Sequence, residues 1–261
     1  MNSIVLSVLV VGGAGLLIGL LLGIAGKKFE VKTDERITAV REALPGNNCG
    51  GCGYAGCDAL AKAIAAGQAD VGACPVGGAS TAEKIGAIMG VAGGAAEKKV
   101  AFVKCKGSCD KTAVQYNYYG VDDCKKVSVV PGAGEKACAY GCMGYGSCVR
   151  ACAFDAIHVV DGVAVVDKEK CVACGKCVAS CPNHLIELVP YKAEHLVQCS
   201  SHDKGKDVKA VCAAGCIGCT LCTKQCEFDA IHMENNLAVI DYEKCTNCGK
   251  CAEKCPVKVI V

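Results

Sequence analysis

The chain has 261 residues, enough for several small domains, and a net charge of +2 from 28 Lys and Arg against 26 Asp and Glu. That near-balance excludes the basic footprint of a nucleic-acid-binding protein. There are 25 cysteines, no Trp and only four Phe, so the apolar core is thin and the cysteines must act as staples. They sit in tight C-x2-C clusters, too close for ordinary mutual disulfides, which points to metal-centred modules in a reducing compartment.

Ile4 to Ala25 contain no charge and no Pro. At 1.5 Å per residue this run reaches roughly 33 Å, enough to cross a hydrocarbon core of about 30 Å. The uncharged start and the length of the run read as a retained anchor over residues 1–28, not a signal peptide. Lys27, Lys28, Lys32, Arg36 and Arg41 follow it. The positive-inside rule then puts the bulk of the chain in the cytoplasm. Gly15, Gly19 and Gly23 share one helix face, which suits a partner helix, although Gly is also simply common in membrane helices.

Residues 29–90 read as a small helical domain. A short amphipathic helix is expected from Thr33 to Leu44, capped by Thr33 and ended by Pro45-Gly46. Cys49, Cys52, Cys57 and Cys74 follow, interleaved with glycines. Four cysteines in such a loop suit a [4Fe–4S] cluster, with backbone N–H groups close to sulfur. A zinc ribbon would carry two C-x2-C knuckles, and this stretch has one. A second helix is expected from Ser80 to Gly90, with Ser80 and Glu83 as a capping box.

Residues 91–137 read as a linker and extra-cysteine segment. Ala92-Gly93-Gly94-Ala95-Ala96 has the composition of a hinge. Cys105, Cys109 and Cys124 lie outside any standard run, and Tyr116, Tyr118 and Tyr119 between them read as packing residues.

From Cys138 onward the chain is duplicated. Cys138, Cys142, Cys148, Cys152, Cys171, Cys174, Cys177 and Cys181 recur 74 residues later as Cys212, Cys216, Cys222, Cys226, Cys245, Cys248, Cys251 and Cys255. Phe154-Asp155-Ala156-Ile157-His158 recurs as Phe228-Asp229-Ala230-Ile231-His232. Each copy ends in C-x2-C-x2-C-x3-C-P, the bacterial ferredoxin run in which three thiolates hold one cluster and the fourth holds its neighbour. Short strand-like pieces lie between the runs. The expected architecture is therefore α+β: a transmembrane helix, a small helical cluster domain, and two tandem bacterial-type 2[4Fe–4S] ferredoxin modules over 138–190 and 191–261.

The cross-over rule assigns ligands. Cys216, Cys219, Cys222 and Cys255 form one set, and Cys226, Cys245, Cys248 and Cys251 another. In the first copy Cys152, Cys171, Cys174 and Cys177 form a third. Tyr145 stands where the repeat has Cys219, so Cys142, Cys148 and Cys181 need a fourth ligand, expected from Cys138. With Cys49 to Cys74 this makes five clusters. Cys105, Cys109, Cys124, Cys199 and Cys212 are left over, either for a sixth cluster or as buried inert thiols. The repeat-equivalent His158 and His232 read as fold residues, and His184, His195 and His202 have no evident partner. No nucleotide-binding motif is present. No catalytic acid or base is implied.

With these motifs in this order, the chain resembles the B-subunit family of the Rnf complexes. These are membrane-bound ferredoxin:NAD oxidoreductases that couple electron transfer to Na+ or H+ transport. The resemblance covers essentially the whole chain and is to the long form, with two double-cluster modules. Ala153 and Glu227 stand where a Pro often follows the fourth cysteine, and Tyr145 replaces a cysteine. The resemblance implies an electron relay in the cell (inner) membrane. Reduced soluble ferredoxin would be the donor. Other membrane subunits and the flavin- and NAD-binding subunits would be the partners. An iron–sulfur component of another redox complex, of the hydrogenase or reductase type, is the alternative. A zinc protein or a sensor with labile clusters is a third reading, which the duplicated ferredoxin run disfavours.

Overall fold

A computed structural model describes residues 3–28, 34–94 and 97–261. Helix α1 (Ser3–Lys28) carries no charge before Lys27, and its segment Val8–Ala25, none of it buried, is long and apolar enough to cross a membrane. The expected N-cap Thr33 lies outside the described residues. Asp34 caps α2 (Glu35–Ala43), its carboxylate accepting from the Arg36 N–H at 2.9 Å.

Helices α2, α3 (Cys57–Ala65) and α4 (Gly78–Met89) form a small bundle around Val40, Leu44, Leu60, Ile64 and Ile85. Ser80 falls inside α4, so the expected capping box does not form. Gly90 ends α4 in the left-handed conformation, φ 69°, which glycine adopts without penalty. The segment expected as a hinge then folds back on α4. A Cβ on Gly93 would stand 2.6 Å from the Ala82 carbonyl oxygen. Ala95 and Ala96 lie outside the described residues.

Strand β1 (Lys99–Val103) corrects the expectation that 91–137 is a linker. Its residues Val100 to Val103 are buried. A buried strand must satisfy its backbone groups, and it does so by antiparallel pairing with β4 (Ile186–Pro190) in the register Val100↔Val189. Helices α5 (Cys124–Val127), α6 (Ser147–Ala151) and α7 (Lys176–Ser180) and the hairpin β2–β3 (Ile157–Val160, Val163–Val166) complete this copy.

The second copy comprises α8 (Gly205–Val211), α9 (Leu221–Gln225), the hairpin β5–β6 (Ile231–Glu234, Leu237–Ile240) and α10 (Lys250–Lys254). The hairpin registers Ile157↔Val166 and Ile231↔Ile240 repeat the sequence offset. The place of β1 is taken by 196–198, whose Leu196 and Gln198 N–H groups donate to Val261 and Val259 carbonyls at 2.7 and 2.9 Å. Each copy thus begins with an edge segment pairing with its own end, and Tyr242 packs against the cores of both.

Candidate metal centres

The N-terminal set is built on α3. Cys57 opens that helix, and its N–H donates to Asn48 Oδ1 at 2.9 Å, which pins the preceding loop. Cys52, Cys57 and Cys74 pack around the bundle core, with Cys49 half-buried beside Gly50 and Gly51. The Gly77 N–H donates to Cys74 Sγ at 3.4 Å. Burial pushes the Cys74 thiol up, and Cys52 and Cys57 add to it.

Beyond this domain, five hollows are each lined by four cysteines. Cys152, Cys171, Cys174 and Cys177 line one. Cys226, Cys245, Cys248 and Cys251 line another, and Cys216, Cys219, Cys222 and Cys255 a third. These three groupings coincide with the cross-over sets. The fourth does not: Cys142, Cys148 and Cys181 are joined by Cys124, not by Cys138. Cys138 lines the remaining hollow with Cys105, Cys199 and Cys212. Cys109 is exposed and lines none of the five.

A polar lock explains why Cys124 takes that place. The Cys124 N–H donates to Ser147 Oγ at 2.8 Å, and Ser147 Oγ donates to Asp123 Oδ1 at 3.1 Å. The Arg150 guanidinium closes the set on Asp123 at 3.0 Å. Ser147 and Arg150 belong to α6, which also carries Cys148, so Cys124 is held beside Cys148. Spacing alone favoured the nearer Cys138. The sequence signal for Cys124 was the thiol missing at Tyr145, which required a donor from elsewhere.

Three family descriptions match stretches of the chain. "Putative Fe-S cluster" matches residues 44–76, "4Fe-4S binding domain" residues 164–187 and "4Fe-4S dicluster domain" residues 215–259. The B subunit of the Na(+)-translocating ferredoxin:NAD(+) oxidoreductase complex of Acetobacterium woodii is 50% identical over the whole chain and 78% of its own length. The B subunit of the ion-translocating oxidoreductase complex of Methanosarcina acetivorans is 46% identical over all of this chain and 99% of its own. The B subunit of the proton-translocating ferredoxin:NAD(+) oxidoreductase complex of Clostridium ljungdahlii is 38% identical, over 100% and 93%. The chain belongs to the B-subunit family of ion-translocating oxidoreductase complexes.

The side chains of this family member fit iron–sulfur clusters. Burial pushes the thiols of Cys138, Cys177 and Cys222 up to about 11 and that of Cys148 up to about 12. Thiols held this way stay protonated unless a cationic group compensates the thiolate, which iron does. Backbone N–H groups already point at sulfur: Ala101 at Cys171, Leu185 at Cys181, Ala230 at Cys226 and Val259 at Cys255, all at 3.3 to 3.4 Å. His195 lines the hollow of Cys226, Cys245, Cys248 and Cys251, and its buried Nδ1 finds no hydrogen-bond partner among the described residues. A cluster held in that hollow would bring sulfur acceptors close to the imidazole. Among the described residues no three His, Cys, Asp or Glu groups are gathered closely enough for a single metal ion.

The remaining candidates are structural. His158 Nε2 lies 3.2 Å from the Asp155 carbonyl, His232 pairs with Glu234, and His202 stacks edge-on with Tyr140. The Tyr116 hydroxyl donates to the Pro131 carbonyl, and Tyr118 packs edge-on against Tyr145. Tyr119 corrects the packing expectation: it is 91% exposed.

Proposed function

We propose that this chain is the electron relay of a membrane-bound complex that oxidises reduced ferredoxin, reduces NAD+ and couples this to Na+ or H+ translocation. It needs no acid, base or nucleophile. The identity to three B subunits of such complexes, over the whole of this chain, carries this reading.

Cys49, Cys52, Cys57 and Cys74 hold one cluster in the helical domain. Two tandem double-cluster ferredoxin modules use Cys152, Cys171, Cys174 and Cys177; Cys124, Cys142, Cys148 and Cys181; Cys216, Cys219, Cys222 and Cys255; and Cys226, Cys245, Cys248 and Cys251. What supports these sets is the lining of each hollow by four cysteines. Each bound [4Fe–4S] cluster supplies a one-electron couple. The chain tunes that couple with N–H groups directed at cysteine sulfur, and buried aliphatic residues such as Ile157, Leu185 and Ile231 keep water away.

The anchor α1 fixes the helical domain at the cell membrane, with the bulk on the cytoplasmic side and other membrane and flavin- or NAD-binding subunits as partners. Cys219 and Cys248 are exposed on the second module, a face that soluble ferredoxin can approach. The test is anaerobic mixing of the purified, cluster-loaded chain with reduced ferredoxin. Rapid ferredoxin oxidation matched by bleaching of the chain's iron–sulfur absorption is expected. Failure of any cluster to accept electrons from ferredoxin would overturn the donor assignment.

A further inference from the structure

The hollow that the cross-over rule left without an assignment lies between the two copies. Each copy contributes an equivalent pair of cysteines to it. Cys138 and Cys212 are 74 residues apart, each four residues before the next repeat-equivalent cysteine, Cys142 or Cys216. Cys105 and Cys199 are equivalent by structure. The Cys142 N–H donates to Cys105 Sγ and the Cys216 N–H to Cys199 Sγ, both at 3.3 Å. This correspondence was hidden in the sequence, because Cys105 precedes Cys138 by 33 residues and Cys199 precedes Cys212 by 13.

We infer that Cys105, Cys138, Cys199 and Cys212 hold a sixth [4Fe–4S] cluster, which joins the two copies' clusters into one series. The inference rests on the iron–sulfur reading above and extends it to a site no ferredoxin run marks. The room inside it, about 20 Å³, matches the roughly 10 to 20 Å³ inside the three hollows ringed by a C-x2-C-x2-C run. Its four thiols are shielded: Cys105, Cys199 and Cys212 are buried and Cys138 half-buried.

The neighbouring backbone supports the site from both copies. Segment 111–113 crosses to the second copy, where the Ala113 N–H donates to the Val211 carbonyl and the Ala213 N–H to the Lys111 carbonyl, at 2.9 and 2.8 Å. Lys136 Nζ ties the Gly107 and Gly162 carbonyls at 2.7 Å each, closing the loop beyond Cys105. The Ser201 N–H gives Cys199 Sγ a second donor at 3.4 Å. A thiolate accepting two N–H bonds and joined to a cluster ligand of the next set by one of them is suited to a site between clusters. The unusual C-x3-C spacing of Cys138–Cys142 and Cys212–Cys216 follows: the first cysteine serves the shared site and the second serves its own copy.

The test is iron, acid-labile sulfide and zinc on the full chain purified anaerobically in detergent, with the Cys138→Ser/Cys212→Ser double variant and a Cys109→Ser control. About 24 iron atoms per chain are expected in the wild type and the control, falling by about four, with equal sulfide, in the double variant. The electron paramagnetic resonance of the reduced double variant should lose one cluster's intensity and keep the rest. About 20 iron atoms in the wild type, unchanged in the double variant, would overturn the sixth site and leave the relay intact. About 20 iron atoms with one zinc, the zinc lost in the variant, would overturn it in favour of a structural metal. Zinc throughout with little sulfide would instead defeat the iron–sulfur reading as a whole. If the variant misfolds and loses all its iron, the wild-type count decides.

Discussion

A Cβ placed on Gly51 would stand 2.9 Å from both the Cα and the carbonyl oxygen of Cys174. Gly51 lies between Cys49 and Cys52 of the helical domain, and Cys174 belongs to the first ferredoxin run. Only a residue without a side chain lets the two cysteine-bearing loops approach this closely. Gly51→Val overpacks the contact at a cost of about 1–3 kcal/mol, a roughly 5- to 150-fold shift away from the docked arrangement. Iron content should stay unchanged, while stopped-flow reduction of the helical domain through the rest of the chain slows by that factor. Unaltered rates would show that the contact carries no electron traffic.

Ser147 holds Cys124 in place from a position only 6% exposed. Ser147→Ala leaves the Cys124 N–H without its acceptor and cuts the link to Asp123. The variant should lose about 1–3 kcal/mol of stability, as expected for an orphaned buried donor. Its first four irons should also leave faster under chelator challenge. Denaturant titration and timed iron release measure the two effects. Wild-type release kinetics would remove Cys124 from its assigned set.

The orphaned His195 Nδ1 predicts a redox effect. A donor facing a cluster sulfur stabilises the reduced, more negative form. Its removal in His195→Leu should lower the potential of the Cys226, Cys245, Cys248 and Cys251 cluster. A neutral hydrogen bond of about 1 kcal/mol corresponds to a shift on the order of 40 mV for one electron. A potentiometric titration followed by electron paramagnetic resonance should find one couple moved and the others in place. No moved couple would show that His195 serves packing alone.

Helix α1 packs against nothing else among the described residues over Val8–Ala25, so its removal exposes no core. Deleting residues 1–28 should move the chain from the membrane to the soluble fraction with its iron intact. Cell fractionation with an iron assay checks this. Retention in the membrane would mean that partner subunits hold the chain through its other domains.

Much of this was legible in the chain itself, because cluster ligation is local where it follows a run. The spacing C-x2-C-x2-C places three thiols on one turn and the start of a short helix, as at Cys171, Cys174 and Cys177. The duplication announced itself at an offset of 74, and the hairpins β2–β3 and β5–β6 follow it residue for residue. The apolar helix needed only length and composition. Three of the four sets expected beyond the helical domain coincide with hollows for the same reason.

What escaped the sequence was each grouping of distant segments that no ferredoxin run marks. The chain cannot display that β1 pairs with a strand more than eighty positions later, so a buried strand read as a linker. Nor does it display that Cys124 is held beside Cys148 by Ser147, Asp123 and Arg150, a polar lock between two helices. Cys105, Cys138, Cys199 and Cys212 share no run and no constant spacing; only the packing of one copy against the other brings them around one hollow. Periodicity and spacing record bonds made within a turn or a helix, and by themselves determined the apolar N-terminal helix, the repeats and the local thiol triads. That Cys124 joins Cys142, Cys148 and Cys181, and which four thiols meet between the copies, was decided by tertiary packing, because those partners are neighbours only in space.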